Sequence, residues 1–324
     1  MKLTVLAVTG ALACAGIACA EDFPVKPVRM IVGFAPGGST DLVARVVAQK
    51  MSEAWGQQVV VDNRPGAVGN IAAETVANAA PDGYTLFVAA SAQLAVNPAV
   101  FPKLPFDPVK SFAPVSFVGS VPNMLVANPS LPVRTLKEFI AFAKARPGQL
   151  SYASAGSGST AHLSIELLKL ETGIELVHVP YRGSGPATID LLSGQIQSMM
   201  GSPAATLNYV KAGRVRALAQ TSIKRSSLIP DIPTLAESGL KDYDVTTWYG
   251  FWAPARMPHA VTQKLHAETV RLLALPDTRQ LLTTQGLEPL GNTPEEARAF
   301  LAAEIKLYGD IVKKIGRASC RERV

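Results

Sequence analysis

Two short stretches combine glycine with hydroxyl residues where an apolar strand gives way to a helix: Pro36-Gly37-Gly38-Ser39-Thr40 and Gly156-Ser157-Gly158-Ser159-Thr160. Glycine lets backbone N–H groups approach a ligand, the hydroxyls add donors, and the positive end of a helix dipole favours an anion. One such loop is weak evidence, because strand-to-helix turns take Gly and Ser for geometry alone. Two of them, in separate halves of the chain, point to a carboxylate held from both sides. The candidate binding residues are Ala35, Pro36, Gly37, Gly38, Ser39 and Thr40 in the first loop. Ser154, Gly156, Ser157, Gly158 and Ser159 form the second set, and Gln93, Gly201 and Ser202, at the ends of two further strands, complete it. Asp41 is expected to cap the first helix, since its charge would repel the anion.

Other chemistries fit less well. Gly156-x-Gly158-x-x-Ala161 has the form of a dinucleotide fingerprint, but the next strand ends His178-Val179-Pro180, without the acidic residue that would hold a ribose. No serine has the flanking glycines of a hydrolase elbow. His162, His178, His259 and His266 are scattered, and no pair has metal-ligand spacing with a carboxylate. His162, one helical turn past the second loop, would orient it, while His178 reads as a strand residue and His259 and His266 as surface positions on a late helix. Trp248, Tyr249 and Trp252 suit either the lining of a hinge or cleft or the aromatic core. No metal and no cofactor is expected. The rival class, an exported enzyme with His162 or His178 as general base, lacks a visible nucleophile.

The loops belong to a recurring unit, a short apolar strand ending in a small-residue loop that opens a helix. It starts at Val28–Phe34, Val59–Val61, Thr85–Ala89, Leu150–Ser154, Glu175–Val179, Ile196–Met200 and Val215–Ala219. Strands alternating with helices predict an α/β fold with mostly parallel sheets flanked by helices. Asn97 to Pro122, with Pro98, Pro102, Pro105, Pro108 and Pro114, reads as a crossover between two sheets. Val245–Ala253 reads as a strand returning to the first sheet. Thr293-Pro294-Glu295-Glu296 is a helix start, with an N-cap Thr, Pro at N1 and Glu at N3. The expected organisation is a clamshell with residues 21–122 and 246–315 in lobe 1 and 123–245 in lobe 2, and with ligand in the cleft at the carboxyl ends of the strands.

The ends are of a different kind. Lys2, the apolar run Leu3–Ala15 and Ala18-Cys19-Ala20 make an export signal over residues 1–20, expected to be cleaved after Ala20. Ile315 to Val324 breaks the preceding helical pattern and reads like a translated sequencing adapter, so 316–324 is expected to be a non-native tail. Of 324 residues, 48% are hydrophobic and 17% charged, enough for packed cores and unlike a disordered chain. The formal charge of +6 falls to +3 without Lys2 and the tail's Arg317, Arg321, Glu322 and Arg323. With no basic run, that balance gives no case for nucleic acid. Between leader and tail there is no cysteine, which suits an oxidising periplasm.

The motifs together resemble a known family, the substrate-binding receptors of tripartite tricarboxylate transporters, or Bug receptors. The matching stretches are Phe34-Ala35-Pro36-Gly37-Gly38-Ser39-Thr40-Asp41, Val61-Asp62-Asn63-Arg64-Pro65-Gly66, Pro81-Asp82-Gly83-Tyr84-Thr85 and Tyr152-Ala153-Ser154-Ala155-Gly156. His178-Val179-Pro180-Tyr181-Arg182-Gly183, Lys211 to Ala219 and Pro230-Asp231-Ile232-Pro233-Thr234 follow in order. The resemblance implies a two-lobed periplasmic binding protein that closes on a small organic carboxylate and delivers it to a membrane permease, and the chain is expected to be a monomer. A sensor presenting its closed form to a signalling partner is the alternative. One departure stands out. Gly201-Ser202 occupies the place where many relatives have Asp-Asn, which argues against an amino-acid ligand.

Overall fold

The computed structural model describes residues 23–316. The expected leader, and all but the first residue of the expected foreign tail, lie outside them. The chain opens with β1 (Val28–Val32), α1 (Ser39–Trp55), β2 (Val59–Asn63), α2 (Asn70–Ala77) and β3 (Thr85–Ala90). A π-helical turn, Ala92–Val96, leads into α3 (Asn97–Val100), and β4 (Phe112–Pro122) follows. Next come β5 (Met124–Ala127), α4 (Leu136–Lys144), β6 (Ser151–Ser154), α5 (Thr160–Thr172) and β7 (Val177–Pro180). The second half continues with α6 (Ser184–Ser193), β8 (Ser198–Gly201), α7 (Pro203–Lys211) and β9 (Arg216–Gln220). It ends with β10 (Thr246–Pro254), α8 (His259–Ala274), α9 (Pro276–Thr284), β11 (Glu288–Pro289) and α10 (Pro294–Ile315).

The strands form two sheets, ordered β11-β4-β10-β3-β1-β2 and β7-β6-β8-β5-β9. Within the first, β1 to β4 run one way and β10 and β11 run against them. Within the second, β6 to β9 run one way and β5 runs against them. Both sheets are therefore mixed, although most strands in each share a direction. The reversed strands β5 and β10 have a common cause. Each follows a passage out of the other sheet, so it enters at the carboxyl edge of its new neighbours and must run away from that edge.

The Asn97–Pro122 passage is more than a crossover, because its second half is β4, the longest strand. Pro114 fits there because it pairs with Trp252 at a register shift. A bulge leaves a backbone position without its ladder bond, and a residue lacking an N–H costs nothing there. The helix start at Thr293 forms as read: its side chain accepts from the Glu296 N–H, and Glu296 reaches back to the Thr293 N–H. Helix α1 turns Val43, Val47 and Met51 onto the first sheet at four-residue spacing. Trp248 and Trp252 are core residues: Trp248 packs edge to face on Phe300 and tilted against Phe117 and Trp252.

Candidate functional site

Four helices begin at the facing edges of the two sheets: α1 after Gly38, α5 after Ser159, α6 after Gly183 and α7 after Ser202. Their first residues surround a small cavity of about 40 Å³. Gly38, Ser39 and Thr40 line one side, with Tyr249 and Thr247 of β10 beneath them. Ser159, Thr160, Ala161, Ser184 and Ser202 line the other. None of the residues around this cavity carries a formal charge. One water-sized group needs roughly 10–15 Å³, so the space suits two or three such groups, the size of a carboxylate. The four helix dipoles place partial positive charge around it.

Each wall of the cavity is braced from behind. On the α1 side, the Asp41 carboxylate accepts from the Gly37 N–H at 3.0 Å, from Arg45 Nε at 3.0 Å and from Asn63 Nδ2 at 2.9 Å. Asn63 Nδ2 also donates to the Phe34 carbonyl at 3.0 Å. Asp41 is thus not the N-cap, which is Gly38; it sits at the third helical position and reaches back to the loop. Burial alone would raise its pKa, but hydrogen bonds from Arg45, Gly37 and Asn63 outweigh that and hold it below the usual carboxylate value. Tyr249 donates its phenolic O–H to Ser39 Oγ at 2.7 Å, fixing that hydroxyl.

On the α5 side, His162 Nδ1 accepts from the Gly158 N–H at 2.9 Å. Ser159 caps the helix by accepting from the His162 N–H. His162, His178 and Tyr152 stack in sequence, with ring centroids 4.0 Å apart for the two imidazoles and 4.8 Å for His178 and Tyr152. Ser154 Oγ lies 2.6 Å from His178 Nε2 and accepts from the Gly156 N–H at 3.1 Å. Gly156 and Gly158 both have positive φ, 130° and 89°, so this path of the loop requires glycine. Burial, then His178 and Lys169, push the His162 pKa down to about 2; burial, then Lys169, push His178 down to about 4. Both rings are therefore neutral at physiological pH.

A larger cavity, about 660 Å³, adjoins the small one, and Phe34 and Ala155 line both. Its walls include Gly33, the turn Gly66-Ala67-Val68, the segment Val100-Phe101-Pro102, and Gly156, Ser157, Pro180 and Tyr181. Arg182 is its one charged lining residue, and the side chain is exposed.

Of the residues singled out from sequence, Gly38, Ser39, Thr40, Ser159 and Ser202 meet at the small cavity and Gly156 and Ser157 at the large one. Ala35, Pro36 and Gly37 instead face the start of α6: the Ala35 N–H donates to the Arg182 carbonyl at 2.9 Å, and a Cβ on Gly185 would lie 2.6 Å from the Pro36 oxygen. Ser154, Gly158, Gln93 and Gly201 line neither cavity. Ser154 and Gly158 shape the loop, and Gln93 is buried with Oε1 accepting from the Ala90 N–H. Any Cβ on Gly201 would collide with Thr206 at 2.6 Å. His259 is exposed as expected, whereas His266 is half-buried with Nδ1 2.9 Å from the Val115 carbonyl oxygen. Asn123, Ser184 and Thr247, absent from the expected binding set, also line the small cavity, as does Tyr249, for which the sequence suggested a hinge or cleft. Ser184 carried a signal, since Pro180-Tyr181-Arg182-Gly183-Ser184-Gly185 is a third strand-to-helix loop of the same composition. Among the described residues no three His, Cys, Asp or Glu side chains group as a metal site, and no helix is long and apolar enough to cross a membrane.

Two mixed sheets whose helix-bearing edges face one another across a small, dipole-lined cavity define a two-lobed solute-binding receptor. The chain belongs to the tripartite tricarboxylate transporter receptor family, whose description matches residues 43–317. Protein BugT of Bordetella pertussis is 40% identical over 98% of this chain and 99% of its own length. An R. palustris protein solved with adipate superposes with a TM-score of 0.88 at 36% identity, covering 91% of this chain and 98% of that one. MatC from Rhodopseudomonas palustris, solved with bound malate, gives a TM-score of 0.84 at 34% identity, covering 90% of this chain and 100% of that one. The family is one of receptors, not enzymes, and the neutral His162–His178 stack works behind the loop as a support.

Proposed function

We propose that this receptor captures a small carboxylate in the periplasm and presents it to a membrane permease of the tripartite tricarboxylate type. One observation carries the reading: four helix N-termini meet at a single small cavity with no charged side chain lining it. Such a cavity attracts an anion through N–H groups and hydroxyls alone. Ser202 Oγ is buried, lines the cavity and has no hydrogen-bond partner within the protein, which leaves a donor available to a bound carboxylate. The relatives solved with adipate and malate agree with a carboxylate ligand. In this reading Gly38, Ser39 and Thr40 hold the anion from the lobe of residues 21–122 and 246–315, and Ser159, Thr160 and Ser202 from the lobe of residues 123–245. Export proceeds through the leader, cleaved after Ala20.

Calorimetry with adipate, malate and a set of simple monocarboxylates tests the reading. At least one acid is expected to bind at one per chain and to be recovered chemically unchanged. Ser202→Asp, which sets a carboxylate beside the anion, is expected to weaken that binding by roughly a hundredfold. Binding that survives Ser202→Asp unaltered, or turnover of the acid, would count against it.

A further inference from the structure

The two cavities adjoin at Phe34 and Ala155, so a molecule with its carboxylate in the small one extends its remainder into the large one. The walls of the large cavity are mainly apolar, and its volume of about 660 Å³ falls within the roughly 300–1,000 Å³ of ordinary small-molecule sites. We infer that the receptor selects monocarboxylates with a sizeable apolar body, aromatic or aliphatic, over short hydroxylated di- and tricarboxylates. This rests on the carboxylate reading above.

Three observations support the choice. Val68, Val100, Phe101 and Pro102 form a wall that offers no hydrogen-bonding side chain to a ligand hydroxyl or a second carboxylate. A polar group placed there would lose water without gaining a partner. Arg182, the sole cation at this cavity, is exposed, and an ion pair in contact with solvent adds little affinity. The third observation is backbone strain. Ala67 and Val68 have φ of 46° and 53°, a left-handed conformation that is an outlier for a β-branched residue. Asn97 Nδ2 holds the Val68 carbonyl at 3.3 Å, and the Gly69 N–H bonds to the Gly66 carbonyl at 2.9 Å. The turn thereby keeps Val68 at the cavity, its Cγ2 3.4 Å from where a Cβ on Gly156 would sit, so it spans the gap between the two lobes. Strain retained at a ligand wall is a common mark of a selected contact.

The experiment is calorimetry of the full receptor with hexanoate, phenylacetate, adipate, malate and citrate, repeated on Val68→Gly. Glycine accepts the left-handed backbone, so the variant is expected to fold with its ligand-free melting temperature little changed. Hexanoate or phenylacetate is expected to bind at least ~10-fold more tightly than malate and citrate, and Val68→Gly to weaken only the apolar-bodied acids by ~10-fold or more. Malate or citrate binding first overturns the inference and leaves the carboxylate reading standing. Adipate binding ~10-fold more tightly than hexanoate overturns it too, because Arg182 would then be reading a second carboxylate. Equal weakening of malate by Val68→Gly would show that the turn shapes the whole site and does not select the body. Failure of every acid to bind removes the carboxylate reading and this inference with it.

Discussion

Gly185 shows how much can depend on a missing side chain. Its backbone lies in the first turn of α6, and a Cβ there would lie 2.6 Å from the Pro36 oxygen and 3.3 Å from the Gly37 carbonyl carbon, both in the opposite lobe. Alanine would favour the helix by about 1 kcal/mol over glycine, so Gly185→Ala should not destabilise the open protein. It should oppose closure, because overpacking of this kind costs about 1–3 kcal/mol. The expected result is a roughly five- to 150-fold loss of affinity with ligand-free stability unchanged or higher. Calorimetry and thermal melts on the same preparation check both halves of that statement. Unchanged affinity would mean that this contact is not part of the bound state.

The imidazole stack makes a second residue-level prediction. His162 and His178 have folded pKa values of about 2 and about 4, both below the 6.5 of a free imidazole. The unfolded chain therefore binds protons below pH 6.5 while the folded chain does not, so stability is complete above that pH and declines as pH falls. The decline continues until each folded pKa is reached, first near 4 and then near 2. At pH 5 each ring should cost about 2 kcal/mol of stability. Melting temperature measured from pH 7.5 to 4.5 should fall, and His178→Asn should flatten the fall. A variant whose acid sensitivity matches the parent's would remove the stack as its source.

Among elements, the helices decide the sign of the ligand's charge. Helices α1, α5, α6 and α7 all present N-termini to the small cavity, and no acidic side chain lines it. Asp41 is close in sequence, but its carboxylate is engaged by Arg45, Asn63 and the Gly37 N–H. An α-ammonium group would enter without a counter-ion, at a cost of several kcal/mol. Acids should therefore stabilise the receptor over their amino analogues by on the order of a hundredfold in affinity. Paired thermal-shift titrations, hexanoate against 2-aminohexanoate and succinate against aspartate, supply the comparison. Preference for the amino acids would require an acidic group that this arrangement does not offer.

Across the whole molecule, the chain passes between sheets at Asn123 and again through residues 221–245. A compact hydrogen-bond cluster joins the two passages. Asn123 N–H donates to Thr221 Oγ1 and the Thr221 N–H to the Asn123 carbonyl, both at 2.9 Å. Asn123 Nδ2 donates to Thr247 Oγ1 at 3.1 Å, and Thr247 Oγ1 lies 2.7 Å from Thr160 Oγ1 at the mouth of α5. Asn123, Thr160 and Thr247 also line the small cavity, so the crossing passages and the proposed carboxylate site share residues. Such coupling suits a hinge closure driven by ligand. Small-angle scattering should show a smaller radius of gyration with the tightest-binding acid than without it. An unchanged radius would describe a receptor that is closed in both states.

Much of this was legible in the chain itself. The strand starts, the Thr293 capping box and the glycine–hydroxyl loops follow from local rules, because apolar runs, caps and positive φ are properties of neighbouring residues. The second loop's dependence on His162 was visible as well, one helical turn being enough to bring the ring back to Gly158. What lay beyond local reading depends on distant partners. Pro114 argued against a strand until the bulge opposite Trp252 made room for it. Ser154 carried the composition of a ligand group but turned inward to His178, 24 residues away, and Tyr249 met Ser39 across 210 residues. The sequence by itself determined which loops could bind an anion. Only the tertiary structure decided which of them meet, since convergence of four helix ends on one cavity is set by the two sheets facing one another and by no spacing along the chain.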